Sequence, residues 1–428
     1  MKLQAVRGFK DWLPEDFRRY HYLCEVSRKI LDLYGFEEVK VPILEKTELY
    51  VRSIGEVTDI VQKETYTFLD RNGESLTLRP EATAGICRMV IEKSVYAKQK
   101  PLRFYTIGPM FRHERPQKGR LREFYQVSVE YFGDLNPFVE AELINIALHI
   151  LREPEKEFGS FLHPLRLEIN SLGCRDCRPS YREYLVSSLR EKKDELCKTC
   201  QERIERNPLR VLDCKEESCK QVVLDLKTLN EFWCSACKEH FSRLSKLLSS
   251  LGIEFFHNPY LVRGLDYYVR TIFEIKAEGL SAQDTVCAGG RYDYLVEELG
   301  GPKLPGIGFA IGVERWALLV FGEERRVPEN KTLVFIAPLG EAANEVALKL
   351  SSELRSKGIK TIVSYEEKSL KAKLRSADKL GVEYVLILGE DELSQSKVCL
   401  KDMRKGAQEL LPLEDIPLLV ERIKSQTE

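Results

Sequence analysis

No apolar run in the chain approaches the length needed to cross a bilayer. The first twenty residues, MKLQAVRGFKDWLPEDFRRY, carry charge throughout and lack the apolar core of a secretory signal. Neither sign of charge is in excess: 66 Lys and Arg stand against 67 Asp and Glu, for a formal net charge of -1. A global basic field is therefore missing, and any hold on nucleic acid must come from local patches. The dinucleotide fingerprint is missing too. Gly306, Gly308 and Gly312 in GIGFAIGVERWALLV do not follow its spacing, which argues against a Rossmann cofactor turn. In the C-terminal segment no phosphate loop follows the first apolar run, TLVFIA, so that segment is not expected to bind a nucleotide. These absences predict a soluble, cytoplasmic protein with no membrane partner. The remainder is ordinary and globular: 428 residues, 43% hydrophobic and 31% charged, enough for two or three domains and a large core.

The stretch that organises the chain is LRFYTIGPMFRHERPQKGRLREFYQVSVEYFG, Leu102 to Gly133. It reads as two strands joined by a basic loop. On the return strand Tyr125, Val127, Val129 and Tyr131 point one way, and Phe124, Gln126, Ser128 and Glu130 the other. One face suits a core. The other offers an amide, a hydroxyl and a carboxylate, and an antiparallel pairing brings Arg112 and Glu114 beside it. The loop and its flanks add Arg115, Lys118, Arg120 and Arg122. Such a surface fits a zwitterionic small molecule and a phosphate chain, but it equally describes a hairpin with one wet face.

Before the hairpin, Pro14 opens a predicted helix that runs to about Tyr34 and stops at Gly35, followed by a strand and a polar continuation in FEEVKVPILEKTELY. Strands at 66–69 and 75–78 turn at Asn72-Gly73. LRPEAT follows, with Glu81 placed either to cap a helix or, with Thr83, to accept hydrogen bonds from an ammonium group. After the hairpin comes an amphipathic helix at 136–151. Residues 160–255 then hold eight of the twelve cysteines. Nineteen residues separate Cys174-x-x-Cys177 from Cys197-x-x-Cys200, a zinc-ribbon spacing that makes these four candidate zinc thiols. The sequence between them reads as helix, not ribbon, so a structural zinc is possible but not favoured over buried, idle thiols. In RGLDYY, Arg263 pairs with Asp266 or serves as a catalytic cation beside Tyr267 and Tyr268. In AGGRYDYL, Gly289 and Gly290 make a tight turn or let backbone approach a ligand. EERRVPENK is a polar linker. Beyond it strand and helix alternate, which predicts a parallel sheet, with a basic helix at 368–379 carrying Lys368, Lys371, Lys373, Arg375 and Lys379.

FRHE with its basic loop and return strand resembles the second signature motif of class II aminoacyl-tRNA synthetases, and GPMFRHERPQKGRLREFYQ resembles the histidyl-tRNA synthetases in particular. RGLDYY and AGGRYDYL resemble two stretches specific to that family, GIGFAIGVERW the third class II motif, and the C-terminal segment its anticodon-binding module. The resemblance covers essentially the whole chain. It implies an α+β catalytic domain on a mostly antiparallel sheet over residues 1–325, a helical Cys-rich insertion at 165–255, a linker at 326–331 and an α/β anticodon-binding domain at 332–428. It also implies attachment of L-histidine to tRNA(His) through a histidyl-adenylate, with ATP as substrate, Mg²⁺ as helper and a homodimer as the assembly.

Carried over residue by residue, the resemblance makes Arg112, Arg263 and Arg315 the catalytic cations. Glu81, Ala82, Thr83, Arg112, Gln126, Glu130, Arg263, Tyr267 and Tyr268 then bind histidine, and Arg112, Glu114 and Arg315 bind ATP. Gln117 and Arg122 become candidates for the tRNA acceptor end. Ala82 stands where the family often has Gly, and Tyr294 replaces another common Gly. The alternative is a synthetase-like, histidine-sensing regulatory subunit of ATP phosphoribosyltransferase, which typically lacks the C-terminal module and has eroded arginines.

Overall fold

A computed structural model describes residues 3–55, 58, 60–133, 136–280, 284–322, 325–327 and 333–424. They form two compact units, divided between Val327 and Pro328. Residues 328–331 of the expected linker lie outside the described residues.

In the first unit the strands are β1 (Glu37–Glu38), β2 (Leu44–Lys46), β3 (Tyr66–Leu69), β4 (Ser75–Leu78), β5 (Leu102–Phe111), β6 (Glu123–Phe132), β7 (Leu165–Ser171), β8 (Phe256–His257), β9 (Val269–Ala277), β10 (Thr285–Arg291) and β11 (Gly306–Gly312). Eight make one sheet in the order β1-β5-β6-β11-β10-β9-β7-β8, and β2-β4-β3 make a small second one. In the large sheet only the outer pairs, β1 with β5 and β7 with β8, are parallel. The mostly antiparallel sheet expected from the sequence is therefore present.

Alternation along β6 sorts the two faces. Val127, Val129 and Tyr131 join Phe309, Phe273 and Ile169 in a core covered by the helices Pro14–Leu33, Pro137–Arg152, Ser235–Ser250 and Val313–Phe321. The opposite face is not simply wet, since Ser128 and Glu130 on it are 2% and 1% exposed. That face carries the site.

Two boundaries differ from expectation. The polar continuation after β2 is a helix, Thr47–Ile54, whose buried Leu49, Tyr50, Ser53 and Ile54 recur at helical spacing. The insertion placed at 165–255 is narrower. β7 is a strand of the main sheet, and the helix Ser235–Ser250 packs beneath that sheet through Leu244 and Leu248. What leaves the sheet is the stretch 172–234, because cysteine content, which drew the expected limits, does not follow the apolar alternation of Leu167 and Ile169.

In the second unit β12 (Leu333–Pro338), β13 (Lys360–Val363), β14 (Tyr384–Leu388), β15 (Lys397–Asp402) and β16 (Gln408–Pro412) form one sheet in the order β13-β12-β14-β15-β16. The first three strands are parallel, as the alternation predicts, while β15 and β16 add an antiparallel hairpin. The sheet is thus mixed. The basic helix, Leu370–Lys379, is not basic on every side: Lys373 is 3% exposed and donates to the carbonyls of Pro338 (2.6 Å) and Ser364 (2.7 Å). Lys373 is a strut beneath the helix, not part of a solvated or RNA-facing run.

The helices under the main sheet are pinned to it by Glu140, which is fully buried. Its carboxylate accepts from Arg291 Nη1 (2.7 Å) and from the Thr271 hydroxyl, and lies 2.8 Å from His240 Nε2. Burial alone would raise its pKa, but the bond to His240 and the charges of His240 and Arg291 outweigh it and hold the carboxyl below its ordinary value. Removing Glu140 leaves Arg291 with Asp293 alone (2.6 Å) and strands the buried Thr271 hydroxyl, at a cost of about 2–3 kcal/mol. Glu140→Ala is therefore expected to lower the chemical denaturation midpoint markedly, and a loss under 1 kcal/mol would show the network to be dispensable.

Candidate active site

Sheet register places the site. Across the buried polar face run two rows of paired residues. Glu130 stands between Phe104 and Gly308, with Gly290 and Ile272 beyond; Ser128 stands between Thr106 and Ala310, with Ala288 and Glu274 beyond. Glycine and alanine on the two neighbouring strands β11 and β10 leave room above the sheet. The room is needed: a Cβ on Gly308 would stand inside the van der Waals radius of Glu130 Oε2, and one on Gly306 would overlap the Tyr292 ring.

Above the sheet lies a cavity of about 670 Å³. Arg112, Glu114, Gln126, Arg263 and Arg315 all line it, together with Glu274 and Glu314. Arg112 follows β5 and continues its ladder, its N–H donating to Arg122 O (2.9 Å). Its guanidinium donates from Nε to Pro80 O (3.0 Å) and lies over the Phe124 ring at 5.3 Å. Arg263 comes from the loop before β9. It pairs with Glu274, not with Asp266 as the sequence allowed; Asp266 instead accepts from Asn207 Nδ2 at 3.1 Å. Nε of Arg263 is buried with no hydrogen-bond partner, so that donor is unspent. Arg315, in the first turn of the helix Val313–Phe321, donates to Gly119 O (3.1 Å) and Thr285 O (2.7 Å). It thereby ties the hairpin loop to β10.

Burial lowers the pKa of Arg112, with Glu64 and Glu81 opposing the shift and the charge of Arg263 adding to it. Burial also lowers that of Arg315, and the charges of Arg120 and Arg112 press the same way. The guanidinium groups thus feel one another across the cavity. An anion entering it relieves that repulsion.

Behind the cavity is a closed polar cluster. Glu130 Oε1 accepts from the Thr83 hydroxyl (2.6 Å), and Oε2 accepts from the Tyr292 hydroxyl. Glu81 accepts from the Thr83 N–H (2.6 Å) and the Ala84 N–H (3.0 Å), so it caps the helix Thr83–Glu92. Arg79, 3% exposed, bonds to Pro109 O and Val41 O and fixes the LRPEAT segment against β5. The Tyr267 ring lies 4.6 Å from Tyr268 and 5.7 Å from Tyr292. Arg263 lies over Tyr268 at 6.0 Å, which joins the cluster to the cavity.

The sequence-expected residues therefore divide into two sets. Arg112, Glu114, Gln126, Arg263 and Arg315 share the open cavity. Glu81, Ala82, Thr83, Glu130, Tyr267 and Tyr268 are all under 10% exposed and none is on its lining. Glu114 is paired with Arg120. Gln117 faces an adjoining hollow of about 450 Å³ with Lys63, His113 and Arg115. Arg122 turns away, donating to Glu114 O and Arg7 O. Sequence reasoning missed Tyr292, Arg79, Glu274 and Glu314. Tyr292 sits inside the AGGRYDYL stretch, and its parity with Gly290 could have marked it. The four proposed zinc thiols do not come together: the pair at 174 and 177 meets Cys234 and Cys237, whereas the pair at 197 and 200 meets Cys214 and Cys219. Spacing alone joined the wrong halves.

Burial pushes the Glu130 carboxyl up to about 8 and the Glu314 carboxyl up to about 7. For Glu130 the folded value exceeds the unfolded one, so the folded chain binds the extra proton and stability falls as pH rises from about 4.3 toward 8. Glu130→Gln removes that dependence. The variant is expected to gain thermal stability over the parent at pH 8.5 relative to pH 6, and parallel melting curves for the two proteins would contradict the raised value.

The family model described as histidyl-tRNA synthetase matches residues 8–316, and the one described as anticodon binding domain matches residues 333–423. A histidine–tRNA ligase of Trichlorobacter lovleyi is 45% identical over 414 residues, 97% of each chain. Another, of Aquifex aeolicus, is 46% identical over 416 residues, 97% of this chain and all of that one. The crystal structure of apo histidyl-tRNA synthetase from S. aureus superposes with a TM-score of 0.79 at 34% identity, covering 99% of this chain and 100% of that chain.

Proposed function

The chain belongs to the histidyl-tRNA synthetase family, and from that premise we propose how its residues charge tRNA(His) with histidine. It is a histidine–tRNA ligase of class II, acting on histidine, ATP and tRNA. The observation that carries the residue assignment is the convergence of Arg112, Arg263 and Arg315 on one cavity.

In the first step the histidine carboxylate attacks the α-phosphorus of ATP, and pyrophosphate leaves. Two anions must approach in line, so the barrier is governed by charge and alignment. Arg112 bridges the carboxylate and the α-phosphate. Arg263, held by Glu274 and with its Nε unspent, meets the charge that grows at the α-phosphate. Arg315 binds the terminal phosphates from the far wall. Guanidinium suits all three roles because it stays charged despite burial and offers paired donors. Gln126 holds the substrate's ammonium group from the sheet.

Glu130, Thr83, Tyr267, Tyr268 and Tyr292 form the selective wall. The Thr83 and Tyr292 hydroxyls already donate to the two oxygens of Glu130. Histidine entering from the cavity exchanges some of these contacts for bonds to its ammonium group and imidazole. An amino acid without matching donors leaves buried oxygens unpaired, which is costly. Glu81 keeps its capping role and adds negative charge beside the ammonium group.

Glu274 and Glu314, whose carboxylates line the same wall, would hold a Mg²⁺ bound with ATP, a donor set that fits a hard cation, and the ion would supply charge neutralisation for the phosphates. In the second step the terminal ribose of the tRNA attacks the adenylate and AMP leaves. Gln117, in the adjoining hollow that shares Glu64, Glu114 and Arg120 with the cavity, is placed for the acceptor end. Arg122 supports the loop instead. A homodimer through the segment 14–46 is supported by apolar side chains left exposed there, Leu33, Ile43 and Leu44. No helix among the described residues is long and apolar enough to cross a membrane, in keeping with work in the cytoplasm. The regulatory-subunit alternative is not favoured, since the C-terminal module and all three arginines are present.

Histidine-dependent ATP–pyrophosphate exchange tests this reading. Arg263→Ala is expected to lower exchange by at least about 10²-fold while circular dichroism stays unchanged. Exchange within a few-fold of the parent would remove Arg263 from the mechanism.

A further inference from the structure

Eight of the twelve cysteines lie in the sequence 174–237, and the structure gathers them into two groups of four: Cys174, Cys177, Cys234 and Cys237, and Cys197, Cys200, Cys214 and Cys219. Within each group every sulfur lies within 4.8 Å of the others. No pair is disulfide-bonded. We propose that each group is a tetrathiolate zinc site, the first closing the base of the insertion and the second fixing its wall over the cavity.

Geometry supports the metal. Zn–S bonds of about 2.3 Å in a tetrahedron set sulfur–sulfur edges near 3.8 Å. Sulfur–sulfur approaches include Cys174–Cys177 at 3.5 Å, Cys177–Cys237 at 3.9 Å and Cys197–Cys214 at 3.9 Å. A four-iron cluster holds its thiolates farther apart, because iron and sulfide stand between them. Backbone N–H groups point at the sulfurs as they do around a thiolate: Cys234 N to Cys177 Sγ and Cys197 N to Cys219 Sγ, both 3.2 Å. Cys177, Cys197 and Cys234 each stand at the N-cap position of a helix, whose positive end favours the ionised sulfur. The other four cysteines, Cys24, Cys87, Cys287 and Cys399, are buried and belong to neither group, as expected of small core side chains.

Need points the same way. The stretch 172–234 is only about sixty residues, built of short helices, and chains of that size commonly depend on a staple. Its second group ties down the segment that meets the catalytic unit. Between Cys200 and Cys214 lies Asn207, which bonds to Asp266 three residues from Arg263. Arg210, Cys214, Lys215 and Lys220 line the 670 Å³ cavity itself. Zinc at the second site thus holds a wall of the cavity that carries Arg263 and Arg315, a wall in which Arg210 and Lys215 are both paired to Asp213 (3.1 and 3.2 Å). Binding releases the four thiol protons of each site and leaves a dianionic complex. The proposal stands apart from the residue roles given above and can fail without them.

The test is metal analysis of the full-length protein, purified under reducing conditions without chelator. Two zinc per chain are expected, both released when a mercurial titrates eight thiols. Cys237→Ser and Cys219→Ser should each retain one. If a variant does not fold, cobalt-substituted parent decides: two equivalents with the visible and sulfur charge-transfer bands of tetrahedral tetrathiolate are expected. The Cys219→Ser chain should also show a raised KM for ATP relative to Cys237→Ser. Iron with acid-labile sulfide, disulfides found by mass, or less than one metal per chain would overturn both sites, and one metal per chain would overturn one of them. Equal KM values would overturn the role given to the second.

Discussion

The register of one strand pair constrains everything built above the sheet. Glu130 on β6 faces Gly308 on β11, and Gly308 faces Gly290 on β10. A side chain at Gly308 would collide with the carboxylate, so the two strands can carry a buried acid only because one of them gives up its Cβ. A slip by one residue would turn Glu130, Ser128 and Gln126 into the apolar core and bring Val127 and Val129 to the site. The core face forbids this: those valines are completely buried among helices that match them. Site geometry is therefore held by packing on the far side of the sheet.

Charge is handled differently in the two halves of the site. In the open cavity positive groups crowd together, and Glu274 and Glu114 neutralise only some of them. In the closed cluster the acid is neutralised by proton uptake and by hydroxyl donors, with no cation in direct contact. The first arrangement waits for a multiply charged anion. The second waits for a group with its own donors. One zwitterion can answer both, its carboxylate toward the arginines and its ammonium group and ring toward the hydroxyls.

Much of this was legible in the sequence, for physical reasons. Alternation in residues 123–132 marks which side chains share a face, and arginines flanking a strand mark an anion site. The hydrogen bonds of Glu81 to two helix N–H groups follow from a carboxylate just ahead of a helix. What could not be read depended on chain reversal over long distances. Tyr292 reaches Glu130 only because β11 lies between their strands. Arg263 pairs with Glu274, eleven residues on, and not with the nearer-in-sequence Asp266, which accepts from Asn207 of the insertion. The thiol groups pair outer with outer and inner with inner, a nesting that local spacing does not encode. Lys373 looks like its basic neighbours and is distinguished only by the two carbonyls beneath it.

The nested thiols also bear on how the chain reaches its fold. β6 and β11, which pair from Gln126 to Phe132 along the whole of β11, are separated by more than 170 residues, and the inserted stretch accounts for about a third of that gap. Because Cys174 and Cys177 sit beside Cys234 and Cys237, and the Trp233 indole donates to Ser171 O at 3.1 Å, the ends of that stretch touch. Once they have met, the polymer separating β7 from β8 is effectively a short bridge, and the entropy of bringing distant strands into register falls accordingly. A pendant loop sealed at its neck is also free to vary in length over evolutionary time without disturbing the pairing of the strands it hangs from.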